Sequence, residues 1–166
     1  MRTGRLGRGD PQYRGGKKIA RIQNVHELHD GESVTLGPLT AVAHFTPGHT
    51  PGGTSWTWRS CEHEVCREIV YADSLTPVSS DGFRFTDSKE YPHALDDFEK
   101  SLKFLETTSC DMLITTHPEA SALWDRVEAS DKGVTPDPLV DATACRRLAE
   151  HGREALRQRL AVESNK

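Results

Sequence analysis

Two histidines occupy the same kind of place. His49 lies in Thr46-Pro47-Gly48-His49-Thr50-Pro51-Gly52, directly after the apolar run Leu39 to Phe45. His117 lies in Thr115-Thr116-His117-Pro118, directly after Met112-Leu113-Ile114. The ends of buried strands are where α/β sheets present ligands, and neutral imidazole is the commonest zinc ligand. Proline and glycine around His49 stiffen the loop and let it turn sharply, so the ring is presented with little entropy left to lose. A hydrogen-bonded structural histidine is the competing reading for either one alone. The matched placement of the two brings ligation level with that reading. Ser74 and Thr76 follow a third run, Ile69-Val70-Tyr71, which ends at Asp73. Loop capping is the ordinary use of Asp, Ser and Thr there. Ser74 lacks a nucleophile elbow, and no spacing joins Asp73 to a histidine in a triad. His26 and His29 lack the four-residue spacing of a metalloprotease helix. They read as surface residues, as do His44, His63, His93 and His151.

The cysteines carry the next signal. Cys61, Cys66, Cys110 and Cys145 allow three pairings. Cys61 and Cys66 flank Glu62-His63-Glu64-Val65, which reads as a polar hairpin tip, so a bridge there would close a tight loop. Cys110 and Cys145 would then pair across a long loop, a chain-entropy gain on the order of 3–4 kcal/mol. Two disulfides imply an oxidising compartment. Four free thiols, or a Cys-x4-Cys thiolate metal site, are the alternatives. No second close cysteine pair completes a zinc tetrahedron.

The elements that must position these residues follow from pattern. Residues 1–18 are rich in Gly and Arg, lack an apolar period and read as a loop. Ser33 to Leu36 and Leu39 to Phe45 form two strands around Gly37-Pro38. Gly53 to Trp58 is a third strand, with aromatic residues on one face, and Glu68 to Asp73 a fourth, buried one. Residues 76–92 are polar and read as a surface loop. His93 to Thr107 is the clearest helix, with Leu95, Phe98, Leu102 and Leu105 at steps of three and four. Met112 to Thr115 is a short strand, Ser121 to Val127 a short helix, and Thr143 to Leu160 a closing helix capped by Thr143 or Asp141. Strands followed by helices, without repeats, predict an α/β layer structure.

Bulk composition excludes more than it selects. The 166 residues fit one domain or a large piece of one, with 35% hydrophobic and 28% charged residues. A formal charge of −4 is too small to argue for nucleic acid or a membrane surface. No apolar run reaches the ~18 residues of a membrane span. Met1 to Arg5 is not followed by the apolar core of a secretory signal, which predicts either a cytosolic protein or a natural start further upstream.

Taken together, these motifs resemble the subclass-three metallo-β-lactamases. The run from Phe45 to Trp58 is similar to their third zinc-ligand motif, Tyr71-Ala72-Asp73-Ser74-Leu75 to the next, and Thr115-Thr116-His117-Pro118 to the last. The resemblance extends from about residue 10 to about residue 160. It implies an αββα sandwich, with this chain its C-terminal half (residues 19–166) plus part of the preceding region. It implies a two-zinc site in which His49 binds the first zinc and His117 the second. Ser74 and Thr76 would receive the substrate carboxylate; strand alternation, if it persists past Asp73, points Leu75 between them away. The implied activity is hydrolysis of the β-lactam amide by zinc-activated water, hence antibiotic resistance, with a periplasmic or secreted enzyme. The Cys61–Cys66 and Cys110–Cys145 pairs resemble disulfides of mobile carbapenemases in that group.

The departure matters as much. The family's His-x-His-x-Asp-His motif, which supplies two ligands to each zinc, does not occur in the 166 residues. Each zinc would keep one protein ligand of three. The expectation is a chain inactive alone, with one inner sheet face uncovered and a missing N-terminal half as its partner. Two alternatives stand beside it. Another hydrolase of the same superfamily, acting on a thioester, lactone or RNA, ordinarily has a metal-bridging aspartate where this chain has Ser74. A non-catalytic, disulfide-stapled half-domain is the other.

Overall fold

The structure, a computed structural model, describes residues 7, 9–13 and 20–165. The expected opening loop therefore lies partly outside the described residues, at 1–6, 8 and 14–18. Five strands form one mixed sheet in the order β1 (Ser33–Leu36), β2 (Leu39–Phe45), β3 (Thr54–Glu62), β4 (Val65–Ala72), β5 (Met112–Thr115). The first three pairings are antiparallel and β4–β5 is parallel. Because β2 and β4 are both antiparallel to β3, and β5 is parallel to β4, the strands β2, β4 and β5 all run the same way. The loops that follow them leave from one end of the sheet, which is what brings residues 46–53, 73–92 and 116–122 together.

Register decides the two faces. Directly paired residues point to the same side. The row Val42–Thr57–Val70–Leu113 faces the helices, and Val70 and Leu113 are 0% and 2% exposed. The next row, Ala43–Trp56–Tyr71–Ile114, faces the other way, as does Trp58–Ile69–Met112. The large residues of both rows are half-buried.

On the covered side lie α1 (Ala94–Thr107) and α3 (Ala144–Ser164). Leu102 and Leu105 of α1 and Ala144 and Ala149 of α3 form one core with Val70, Ala72 and Leu113. The helices touch where Gly152 meets Leu102; a Cβ at 152 would stand 2.7 Å from Leu102 Cδ2, so a side chain here would have to displace the buried Leu102. Arg153 then bridges to Glu99 and Glu106.

Several elements depart from expectation. The β3–β4 hairpin is longer than 53–58 and 68–73. Its turn is His63-Glu64, both at positive φ, and the exposed Arg59–Glu68 pair extends the ladder. Cys61 and Cys66 are directly paired in that ladder and disulfide-bonded, and Cys110 is bonded to Cys145. The expected helix at 121–127 is instead a 3-10 turn, Pro118–Ser121, followed by α2 (Leu123–Asp131). Ala122 between them is left-handed and ends one helix before the next begins. The closing helix runs to Ser164, since no Gly or Pro follows Leu160 to stop it. Asp141 Oδ1 accepts from the Thr143 amide at 2.9 Å and its hydroxyl at 2.7 Å, so Asp141, not Thr143, supplies the oxygen at the head of α3.

The largest correction concerns 76–92. That segment has no helix or strand but is not a surface loop, because Phe85 and Tyr91 are buried in a second core with Ala94, Phe98 and Leu156. Polar composition hid its aromatic anchors.

Candidate functional site

The loop after β2 is held by α1. Ser101 Oγ, itself buried, donates to the Pro47 carbonyl at 2.6 Å. Gly48 has φ +133°, and a Cβ there would lie 2.7 Å from the Phe98 ring, so this position takes glycine alone. Gly53 closes the loop, its carbonyl accepting from Thr46 N at 2.9 Å, and a Cβ would fall 2.3 Å from the Thr46 carbonyl oxygen. Tyr91 donates to Asp97 at 2.7 Å; burial first, then this carboxylate, pushes the phenol pKa well up.

Held this way, His49 has a defined tautomer. Its Nδ1 lies 2.6 Å from the Thr76 carbonyl oxygen, and a carbonyl can only accept, so Nδ1 carries the hydrogen. Nε2 therefore presents a lone pair, which accepts from the Gln12 side-chain amide at 2.8 Å. A backbone carbonyl fixing one ring nitrogen so that the other is free to ligate is the usual outer arrangement of metal-binding histidine.

Asp73 joins the three loops. Its Oδ2 accepts from Thr54 N at 3.1 Å, and its Oδ1 from Ser74 N at 2.8 Å and Thr116 Oγ1 at 3.3 Å. Asp73 N in turn donates to Ser55 Oγ, which is paired with Thr46 Oγ1 in the buried interior. Beyond it, Ser74 Oγ and Thr76 Oγ1 are 3.0 Å apart, on one side of the chain, while Leu75 is buried in the core. His117 follows β5, where Thr115 Oγ1 donates to its carbonyl at 2.8 Å and Thr116 N donates to Ala72 O. Ser74, Thr76, Thr116 and His117 line one side of a cavity of about 340 Å³, and Leu148 and Gly152 of α3 line the other. His49 does not line the cavity but meets it through Thr76.

Thus the sheet end gathers His49, Ser74, Thr76 and His117. Among the described residues no group of three or more His, Cys, Asp and Glu side chains could hold a metal ion. The donors present do not make a metal centre by themselves. Sequence reasoning missed Gln12, Ser101 and the linking role of Asp73. Only Asp73 carried a signal, as a carboxylate at a strand end flanked by Ser and Thr.

Solved structures match the fold of this chain closely. Rm3 metallo-β-lactamase is 46% identical with a TM-score of 0.91, over 97% of this chain and 60% of that one. MEM-A1, a subclass B3 metallo-β-lactamase isolated from a soil metagenome library, is 40% identical with a TM-score of 0.92, over 99% and 62%. The chain is a C-terminal part of the subclass B3 metallo-β-lactamase fold. A third match, the metallo-β-lactamase SMB-1 in a complex with mercaptoacetic acid, is 43% identical with a TM-score of 0.88, over 98% and 61%. The chain spans about three fifths of the length of these metallo-β-lactamases. No family model matches it. Among the described residues no helix is long and apolar enough to cross a membrane.

Proposed function

We propose that this chain contributes part of a β-lactam-hydrolysing site and does not hydrolyse β-lactams alone. In this reading His49 Nε2 exchanges the Gln12 amide for one zinc ion, and His117 is a ligand to a second. The remaining ligands come from a segment with the His-x-His-x-Asp-His motif, which the chain lacks. A zinc ion in a completed site makes water nucleophilic near neutral pH. This chain's own residues orient and bind: Thr76 O fixes the His49 tautomer, Asp73 holds the three loops, and Ser74 and Thr76 offer hydroxyls to a carboxylate. The observation that carries the reading is the 3.0 Å Ser74–Thr76 hydroxyl pair, with His49 bonded to Thr76 and His117 lining the same cavity. Residues 19–166 would form the C-terminal half of the sandwich, with 1–18 as a loop. The half-buried Trp56–Tyr71–Ile114 face would be covered by the other sheet. The metal-using relatives, one bound to a small thiol acid, support a small-molecule β-lactam substrate. Nucleic acid or a membrane is not among the proposed partners, and the two disulfides suit a periplasmic or secreted setting.

The test uses the chain fused behind a B3 segment that supplies the motif. A hydrogen bond to a charged group contributes roughly 1.5–3 kcal/mol. The carboxylate is remote from the breaking amide, so it is held alike in ground and transition states. Thr76→Val should raise KM about tenfold or more and leave kcat nearly unchanged. An unchanged KM for several β-lactams would reduce Thr76 to a turn residue.

A further inference from the structure

We propose that the last turn of α3 positions the His49 imidazole, with Glu163, Arg159 and Ser80 as positioning residues acting through the loop 79–86 and the segment 10–13. The starting point is an acid in the wrong place. Glu163 is the penultimate residue of α3 and only 4% exposed. A carboxylate at a helix C-terminus faces the negative end of the macrodipole, and burial adds a desolvation cost.

What offsets those costs is the loop. Phe85 N donates to Glu163 Oε1, and Thr86 N and Thr86 Oγ1 donate to Oε2, each at 3.1 Å. Arg159, one turn earlier, donates to Glu163 at 2.7 Å. Burial works against the carboxylate, but Arg159 and the two amides outweigh it and hold its pKa below the ordinary value. Arg159 also donates to Ser79 Oγ at 2.8 Å and to Phe83 O at 2.9 Å, with its guanidinium over the Phe85 ring. The loop is therefore fastened to α3 at both ends.

Ser80 carries that constraint onward. Its amide donates to Pro11 O at 2.8 Å, and its hydroxyl faces Pro11 O at 3.1 Å and Tyr13 O at 3.2 Å. Pro11 is fully buried, and Gly9 passes so close to Glu90 that a Cβ would lie 2.7 Å from its carbonyl oxygen. Between the two carbonyls that Ser80 holds is Gln12, whose amide reaches His49 Nε2. The working nitrogen of His49 is thus addressed from both ends of the described chain. The importance of that nitrogen rests on the proposed function, but the test below involves neither zinc nor a β-lactam.

The full chain, metal-free and 15N-labelled, is studied at about pH 8.5, where an ordinary imidazole is neutral. Gln12→Ala defines the His49 Nε2 resonance with the bond lost. Arg159→Met and Ser80→Ala should each move that resonance at least half way to the Gln12→Ala position. Ser80→Thr, which keeps the hydroxyl, should leave it near the parent position. Unchanged Val70 and Leu113 amides show that the core is intact; if Arg159→Met disturbs them, Ser80→Ala decides. An Nε2 resonance unmoved by Ser80→Ala, by Gln12→Ala itself, or by Arg159→Met with the Val70 and Leu113 amides unchanged, overturns the proposal.

Discussion

The two faces of the sheet are built from the same strands yet have different surroundings. On one, Val70, Ala72 and Leu113 are at most 2% exposed beneath α1 and α3. On the other, Trp56, Trp58, Ile69, Tyr71, Met112 and Ile114 are only half-buried. Strand alternation makes this contrast informative. A sheet meant to be wetted on one side alternates apolar and polar residues, whereas β4 reads Ile69-Val70-Tyr71-Ala72 without a polar break. Apolar residues on both faces specify cover on both sides, and this chain supplies helices for one. Of the loops that carry His49, Ser74, Thr76 and His117, the first is bonded to the covered side by Ser101 of α1, and Asp73 ties the others to it.

The contrast can be broken most directly by truncating a large residue on each side. Phe98→Ala, at a fully buried site, should cost about 3–5 kcal/mol in urea unfolding. Trp56→Ser should cost under about 1 kcal/mol and raise solubility, because the ring is not packed on both sides. Equal losses would mean that the second face is already part of the core. Next in size is Gly48→Ala, which meets both a positive φ and the Phe98 ring. A loss of about 1–3 kcal/mol is expected, and a change below about 0.5 kcal/mol would show that α1 does not grip the His49 loop.

The smallest expected effect is on the acid limb. The Arg147 guanidinium and then the Thr143 hydroxyl beside Asp141 lower its pKa from 3.8 to about 2, against burial. A folded value below the unfolded one means stability fully present above pH 3.8 and lost as the pH falls toward about 2. Asp141→Asn should flatten stability across that window and leave the slope near pH 7 alone. An unaltered acid limb in thermal melts from pH 5 to about 2 would count against the Asp141 anchor.

Much of the covered side was legible in sequence, because it rests on short-range pattern. β2 and β5 follow from apolar runs ending at Thr46 and Thr115, and α1 from the spacing of Leu95, Phe98, Leu102 and Leu105. The placement of His49 and His117 at one sheet end needed only strand direction. What escaped depends on contacts distant in sequence. Phe85 and Tyr91 are isolated aromatics in a polar stretch, with no period to mark them as core. Gln12 and Glu163 gain meaning only when residues near the two ends of the chain meet around Ser80. Ala122 adopts a left-handed conformation that its residue type does not favour, so the break between Ser121 and Leu123 carried no turn signal.

The central claim is that this chain holds part of a site and needs ligands from elsewhere to complete it. The direct test incubates the purified chain with zinc and a chromogenic cephalosporin, alone and with a B3 segment bearing His-x-His-x-Asp-His. The account predicts hydrolysis at background alone, and turnover sensitive to a chelator and to His117→Ala once the segment is added. Turnover by the chain alone that a chelator and His117→Ala both abolish would contradict it.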